Sequence, residues 1–283
     1  MIDGSSTMYP VTESVITIFR KDRESKQFVH TISGTRPGIE RLCKGKVHIA
    51  NASRSILQSE LALCAENGIQ VFEIPVAMDG VAVVVNASND WVDHLSISEL
   101  ETIWKLDSEG VISNWSDVRP YWPEEPLFLY GPSSASGTHQ FFFSTVLGSE
   151  EHARGDFVSS EDDTFLGKGI AENKYALGFF GLSYYKEDSF LFRLVPIDNE
   201  QDKNDARPVL PSKQTVLNNS YNPLARELYL YVNIDALSDK GIIEFLEYYL
   251  LHIERVSEDV GYFPKPQAVY ASYLDSLQLY REQ

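Results

Sequence analysis

A strand, a hydroxyl-rich turn and an apolar helix follow one another between residues 127 and 147, and this order restricts the possible folds strongly. Residues 127–130 have the pattern of a strand, and residues 141–147 form the apolar part of a helix. The turn between them contains Ser136, Gly137 and Thr138. The first N–H groups of a helix have no partner inside the helix, and the helix dipole adds partial positive charge there. The stretch therefore predicts an anion cradle, with an ordinary serine-capped helix as the open alternative.

Two more segments repeat this order near the start of the chain. Ser6 and Thr7 precede Pro10, which suits the first turn of a helix, and Val11, Val15 and Phe19 follow at helical spacing. Farther on, the pattern predicts a strand at residues 28–32, a turn at 33–38 that contains Thr35, and a short helix ending before Gly45. A strand at 47–52 then leads into Ser53 and Arg54, and a guanidinium at a strand end can bind an oxyanion through two hydrogen bonds. Helix capping and an ordinary surface arginine remain the alternatives.

Composition and charge exclude several classes of function. The net charge of -17 argues against binding to nucleic acid or to acidic membranes. The hydrophobic content of 43% is enough for well-formed cores, and no apolar run is long enough to span a bilayer. The opening residues lack the pattern of a signal peptide, so we expect the start of a mature sequence.

The cysteines and histidines show no metal-binding or catalytic pattern. Cys43 and Cys64 are the only cysteines, and their spacing does not match a zinc site, so they are either paired or two buried thiols. A serine hydrolase with Ser136 and His139 is a remote alternative, because the surrounding residues do not form G-x-S-x-G. We therefore expect no enzyme activity, no cofactor and no metal.

The ordered set of motifs resembles the phosphate-binding proteins of bacterial phosphate ABC transporters. The resemblance extends from Asp3 to about Tyr185 and returns near the C-terminus. The segments that carry it are Asp3–Pro10, Gly34-Thr35, Ala52-Ser53-Arg54, 79–86, 112–118, Ser136-Gly137-Thr138 and 261–264.

The resemblance implies an α/β fold of two lobes, a type II periplasmic binding protein in which each lobe is a mixed sheet flanked by helices. It places the ligand in the cleft between the lobes. We expect one lobe at 1–84 with 228–283, and the other at 85–227. Residues 70–77 and 81–86 are predicted strands, 226–233 a returning strand, and 241–251 a helix. A capping box at Ser96 and Glu99 predicts a further helix.

The resemblance also implies the ligand and its contacts. Inorganic phosphate would be bound in the periplasm by a monomer and passed to a phosphate permease at the inner membrane, and the chain could carry a lipid anchor before processing. A Cys43–Cys64 disulfide fits that location. The implied phosphate-binding residues are Ser6, Thr7, Met8, Thr35, Ser53, Arg54, Ser136, Gly137 and Thr138, with Arg54 as the one full positive charge.

Two departures from the family pattern affect the expected selectivity. Related sequences often carry Asp where this chain has Asn51 and, before the Ser-Gly-Thr, where it has Ala135. A carboxylate in such a site accepts the proton of hydrogen phosphate and rejects sulfate. Asp79 is a possible substitute acceptor or supporting residue, with a turn aspartate as the alternative. Asp162 or Asp163 could also approach the site, with an acidic cap of the following helix as the alternative. Another oxyanion such as sulfate or molybdate, or a sensing or scavenging role in the same fold, stays open.

Overall fold

The computed structural model describes residues 1–23, 28–185, 191–200 and 207–281. These residues fall into two compact units, Met1–Met78 with Arg226–Gln283, and Asp79–Ala225. The strands are β1 Ile2–Gly4, β2 Ile49–Ala52, β3 Val71–Asn86, β4 Leu95–Ser96, β5 Phe128–Pro132, β6 Val158–Ser160, β7 Ala176–Gly181, β8 Phe192–Leu194, β9 Ile197–Asp198, β10 Ala225–Asn233 and β11 Phe263–Pro264. The helices are α1 Tyr9–Asp22, α2 Thr35–Cys43, α3 Gln58–Glu66, α4 Ile97–Trp104, α5 Trp115–Val118, α6 Gly137–Leu147, α7 Asp163–Glu172, α8 Lys213–Leu217, α9 Lys240–Val260 and α10 Gln267–Arg281.

The sheet of the first unit has the strand order β1-β2-β10-β3. β1 runs parallel to β2 and places Gly4 opposite Asn51, whereas β10 runs antiparallel to β2. The carboxyl ends of the two parallel strands therefore lie side by side, and residues 5–8 and 53–54 continue from them. The short strand β11 pairs with the first half of β3.

The core of the first unit lies between this sheet and the helices α1, α9 and α10. α9 begins after Asp239, whose carboxylate accepts the N–H of Gly241, and ends at Gly261 with a positive φ of 93°. Ten residues of this helix are buried. Their aromatic members surround Phe19 of α1, with edge-to-face contacts from Phe245 and Tyr248.

The second unit has a sheet of order β3-β7-β5-β6, in which β5 is parallel to both neighbours and β7 is antiparallel to β3. Residues 76–86 of β3 are all buried, which is typical of a strand covered on both faces. The core centres on Trp104, which is fully buried. Its ring meets four phenylalanine rings edge-on at 5.1 to 5.9 Å, those of Phe142, Phe143, Phe157 and Phe179.

The strand predicted at residues 28–32 is wrong, because the structure contains only a single bridge there, between His30 and Ile2. Thr31 and Ser33 instead donate their hydroxyls to the buried carboxylate of Asp3, at 2.8 and 2.7 Å. These side-chain bonds to Asp3 accompany an irregular backbone that continues into the start of α2.

The predicted break between two strands at residues 78–80 is also wrong, because β3 continues from Val71 to Asn86. Asp79 therefore lies inside a strand and is not a turn aspartate. Its side chain is 4% exposed and accepts the N–H of Gly80 at 2.8 Å. The capping box of α4 has the predicted form, since Ser96 accepts the N–H of Glu99 and Glu99 accepts that of Ser96.

Candidate functional site

The loop between β1 and α1 brings three predicted binding residues, Ser6, Thr7 and Met8, to the end of the first sheet. Thr7 and Met8 are buried. The hydrogen-bond ladder of α1 begins with the N–H of Thr12 and the carbonyl of Met8, at 3.0 Å. The amides that precede Thr12 thus lie at the positive end of a helix of 14 residues.

Two groups from distant parts of the chain hold Thr7. Arg226, the second residue of β10, donates from Nη2 to the hydroxyl oxygen of Thr7 at 2.9 Å. Tyr262 donates its hydroxyl to the carbonyl of Thr7 at 2.8 Å. The sequence gives neither residue a role in binding; Arg226 opens the strand predicted at 226–233, and Tyr262 lies in one of the motifs that carry the resemblance.

The predicted residues Thr35 and Ser53 are brought together in the same unit. Thr35 opens α2, and its hydroxyl lies 3.0 Å from that of Ser53. The N–H of Ser53 also donates to the Thr35 hydroxyl oxygen, at 3.2 Å. Both side chains are half-buried, so the pair presents two hydroxyls fixed by one another.

Arg54 has a partner that the sequence did not indicate. Its guanidinium forms two hydrogen bonds with the carboxylate of Glu60, at 2.9 and 2.8 Å. Glu60 also accepts the N–H of Leu57 at 2.9 Å and is buried. Burial alone would raise the pKa of Glu60, but the bonds from Arg54 and Leu57 outweigh it and hold this pKa below its ordinary value. The role of Arg54 as a phosphate ligand stays a prediction.

Asn51, one of the two departures from the family pattern, is part of a buried polar network. Its side-chain oxygen accepts the hydroxyl of Thr12 at 3.1 Å, and its amide nitrogen lies 3.0 Å from Nε2 of His30. Nδ1 of His30 lies 2.9 Å from Glu13, and burial lowers the pKa of His30 although Glu13 opposes the shift. A neutral His30 whose Nδ1 donates to Glu13 has an unprotonated Nε2, which accepts a hydrogen bond from the amide nitrogen of Asn51. An amide supplies both the donor and the acceptor that this position requires, whereas a carboxylate supplies only acceptors.

The anion cradle predicted from the sequence lies in the second unit, where α6 follows β5. Ser136 is the residue before the helix, and its hydroxyl oxygen accepts the N–H of Thr138 at 3.1 Å. Ser136, Gly137 and Thr138 are half-buried, and Ala135 is exposed. The capping interpretation is therefore correct for Ser136, and it is compatible with anion binding because the hydroxyl hydrogen can still be donated.

The geometry around His139 gives no support to the serine-hydrolase alternative. Its ring packs edge-on against Phe143 at 4.6 Å, and burial lowers the pKa of the imidazole. Nδ1 lies 3.7 Å from Glu150, too far for a hydrogen bond. In the part of the chain that the structure describes, no hydrogen bond joins His139 to Ser136.

Three acidic residues lie beside this cradle, at residues 161–163. Ser133 donates its hydroxyl to Glu161. Asp162 caps α7 by accepting the N–H groups of Thr164 and Phe165, at 2.8 and 3.4 Å, so the capping interpretation is correct for this residue. Burial, together with the smaller effect of the charges of Asp162 and Glu161, raises the pKa of Asp163 to about 6.

Replacing Asp163 with asparagine should stabilise the protein in a pH-dependent way. The pKa in the folded state lies above the ordinary value of 3.8, so ionisation destabilises the fold, and this penalty grows as the pH rises from about 4 to about 6 and is fully present above that. We expect a gain on the order of 1 kcal/mol at about pH 8 and almost none near pH 4, after allowing for partial exposure. Urea unfolding at both pH values measures it. An equal effect of Asp163→Asn at both pH values would contradict the assignment.

Within residues 1–23, 28–185, 191–200 and 207–281, no group of three or more His, Cys, Asp and Glu side chains is placed to hold a metal ion. None of the helices in those ranges has the length and apolar character needed to cross a membrane.

The fold is that of a known class of protein. A PBP superfamily domain matches residues 1–251, and this chain belongs to that superfamily. Within it, the chain belongs to the family of PstS and SphX. Protein SphX of Synechocystis sp. is 37% identical over 270 residues, which cover 95% of this chain and 79% of SphX. The phosphate-binding protein PstS of Staphylococcus aureus strain USA300 is 31% identical over 279 residues, which cover 98% of this chain and 82% of PstS.

Solved structures agree with this assignment. A possible phosphate binding protein from Planctomyces limnophilus superposes with a TM-score of 0.91 and 31% identity, over 99% of this chain and 97% of the other. An ABC-type phosphate transport receptor from Vibrio cholerae, with a TM-score of 0.71 and 21% identity over 93% and 98% of the two chains, shares the fold. The α/β fold and the family predicted from the sequence are confirmed.

Proposed function

We propose that this protein binds inorganic phosphate with high affinity in the periplasm and delivers it to a phosphate ABC permease at the inner membrane. The observation that carries the proposal is the Ser136-Gly137-Thr138 turn, which opens a helix of 11 residues directly after a sheet strand. Membership in the PstS and SphX family supports phosphate over other ligands. A monomer without a cofactor is part of the proposal.

The ligand would be held by amides and hydroxyls of the predicted residues, together with part of the charge of Arg54. The other predicted residues are Ser6, Thr7, Met8, Thr35, Ser53, Ser136, Gly137 and Thr138. The physical task is to replace every hydration hydrogen bond of a small dianion, and fixed amides and hydroxyls at helix starts do this without adding mobile charge.

Discrimination against sulfate would depend on an acceptor for the proton of hydrogen phosphate. Asn51 is used inside the first unit, by Thr12 and His30, and Ala135 has no polar side chain. We propose Asp79 for this role, since it is a buried carboxylate within β3. Sulfate has no proton to donate, and its negative charge would be repelled by the carboxylate of Asp79. Asp79→Asn should therefore narrow the difference in affinity between phosphate and sulfate.

Calorimetric titration of ligand-free protein tests the function, first with phosphate and then with sulfate. We expect tight phosphate binding and much weaker sulfate binding. Equal binding of both anions would favour a general oxyanion carrier, and binding of neither would overturn the proposal. A permease reconstituted in vesicles, with this protein added outside, distinguishes delivery from a sensing or scavenging role.

A pair of cap variants tests the site itself. Ser136→Ala should weaken phosphate binding about tenfold or more, because it removes a hydrogen bond to a charged ligand. Ser96→Ala is the matched control, since Ser96 caps α4 of the same unit with the same 3.1 Å bond from a backbone N–H. Both variants should lose about 1 kcal/mol of stability, but Ser96→Ala should bind phosphate normally. Equal affinities of the two variants would exclude the α6 cradle from the site.

A further inference from the structure

The loop at residues 5–8 carries three of the predicted phosphate ligands, and His30 and Asn51 hold its two ends. At the first end, the N–H of Ser5 donates to the carbonyl of Asn51 at 2.9 Å. At the other end, Tyr9 opens α1 and stacks on the ring of His30, with the two centroids 4.4 Å apart. The amide nitrogen of Asn51 lies 3.0 Å from Nε2 of His30, so this contact joins the two ends of the loop.

His30 connects three elements of the first unit. Its Nδ1 lies 2.9 Å from Glu13 of α1, its backbone forms the bridge to Ile2 of β1, and its Nε2 contacts Asn51 of β2. The side chain is only 3% exposed, so water does little to replace these bonds when they are lost. Without them the amino end of α1 would be free to shift relative to β2, and the loop between the two would shift with it.

The hydroxyl of Thr12 fixes the orientation of the Asn51 amide. It donates to the side-chain oxygen of Asn51 at 3.1 Å, which leaves the amide nitrogen facing His30. The Thr12 oxygen also lies 3.2 Å from the hydroxyl of Tyr249 and, with its own hydrogen used for Asn51, accepts from that hydroxyl. Nε2 of His30 therefore has to accept, because a protonated Nε2 would place one N–H group opposite another.

Charged groups act on His30 from α1 and from β1. Glu13 of α1 is 34% exposed and lies 4.0 Å from Arg20 of the same helix. Asp3 of β1 is fully buried and is paired with Arg41 at 2.5 Å. Burial lowers the pKa of His30 and outweighs the opposing charges of Glu13 and Asp3, with Arg20 adding to the effect of burial. The imidazole is therefore uncharged at about pH 7.

We infer that His30 positions the phosphate-binding loop and takes up a proton from solvent when position 51 carries a carboxylate. This inference rests on the proposed function. A carboxylate accepts but cannot donate, so Nε2 of His30 would have to donate to it while Nδ1 still donates to Glu13. The negative charge gained at position 51 is then matched by the positive charge gained at His30. Phosphate meets the same total charge beside the loop in both cases.

A double-mutant cycle at positions 30 and 51 tests this matching of charge by phosphate calorimetry at about pH 7. Asn51→Asp alone should bind phosphate within about threefold of the unmodified protein, because His30 neutralises the new carboxylate. His30→Gln alone should bind about threefold more weakly, since its uncharged amide can occupy the position of Nε2 and keep the bond to Asn51. The double variant should bind at least about 30-fold more weakly, because its buried carboxylate lacks the imidazolium.

Nuclear magnetic resonance of the His30 ring nitrogens gives a readout that a purely structural role would not change. In the unmodified protein at about pH 7, Nδ1 should carry the only ring proton. In Asn51→Asp both ring nitrogens should be protonated at the same pH, because a second carboxylate raises the pKa of His30. This measurement needs no ligand, and it keeps the inference testable if the double variant does not fold.

His30→Phe tests the positioning role, with His252→Phe as the matched control. Phenylalanine can keep the stack on Tyr9 but removes both hydrogen bonds of the ring, so we expect phosphate binding to weaken about tenfold. His252 likewise stacks on a tyrosine, Tyr248, at 3.9 Å, and its Nδ1 lies 2.8 Å from the carbonyl of that residue. It lies within α9, away from the loop at 5–8, and its replacement should leave the affinity unchanged. Circular dichroism and thermal unfolding check that each variant is folded.

The outcomes separate failure of this inference from failure of the proposed function. If the unmodified protein binds no phosphate while His30 becomes protonated in Asn51→Asp, the proposed function is wrong and the proton coupling of the two residues stands. If phosphate is bound and His30→Phe binds it as tightly as His252→Phe does, His30 does not position the loop and the inference is overturned. It is also overturned if His30 stays neutral in Asn51→Asp, or if the effects of the two single variants account for the whole loss in the double variant.

Discussion

Replacing Gly4 with alanine is expected to destabilise the first unit by about 3 kcal/mol or more and to abolish phosphate binding. A Cβ at this position would lie 2.1 Å from the carbonyl oxygen of Asn51 and 2.9 Å from its nitrogen, and φ is +134°. Both atoms belong to the backbone of β2, which is paired with β1, so a shift of either atom would disturb that pairing. The N–H of Ser5 also donates to that same oxygen at 2.9 Å, and this bond positions the loop that follows.

A glycine that also has a positive φ but is surrounded by free space provides the control. Gly68 has a φ of +70°, and nothing lies within 4 Å of an added Cβ. Gly68→Ala should therefore cost only the strain of the left-handed backbone, about 1 kcal/mol. Denaturant unfolding of both variants measures the difference. If Gly4→Ala costs no more than Gly68→Ala, the close approach of β1 and β2 described here is incorrect.

Removing the disulfide bond between Cys43 and Cys64 should lower the stability of the protein by about 3 kcal/mol. The two residues are separated by 21 positions and join the end of α2 to α3. The bond restricts the unfolded chain by closing a loop of that length, and its loss increases the entropy of the unfolded state. Both cysteines are buried, at 0% and 1% exposure.

The double variant Cys43→Ala with Cys64→Ala measures this contribution, and the reduced protein serves as its comparison. Reduction keeps both sulfur atoms in the core, so it isolates the loss of the crosslink from the loss of packing. Reduction alone should produce most of the loss of stability that the double variant shows. If reduction leaves the unfolding midpoint in urea unaltered, the crosslink does not restrain the unfolded chain as proposed.

Local features of this protein were predictable from the sequence. The capping box of α4 needs only Ser96 and Glu99, which are three residues apart, and the serine cap of α6 needs only Ser136 and the amide of Thr138. Groups so close in the chain meet whenever the helix forms, so the residue types are sufficient evidence. The order of such motifs along the chain was also sufficient to identify the family.

Errors arose where distant residues control a short segment. Residues 28–32 had the composition of a strand, but Thr31 and Ser33 bind Asp3, which is about thirty positions away in the chain. Asp79 and Gly80 had the composition of a turn, but they continue a strand that pairs with β11 at residues 77–78 and with β7 at residues 81–85. Tertiary contacts outweighed local propensity in both segments.

The predicted binding residues of the first unit show the same division. The hydroxyl-rich residues and the helix starts belong to contiguous motifs, and the chain alone specified them. The chain alone did not specify the partners of the two arginines. Arg54 contacts Glu60 within one short segment, through a geometry that spacing does not reveal, and Arg226 contacts Thr7 across 219 positions. The contact between Arg226 and Thr7 requires β10 to lie beside β2, since hydrogen bonds and ion pairs act over a few ångströms and chain separation carries no information about them.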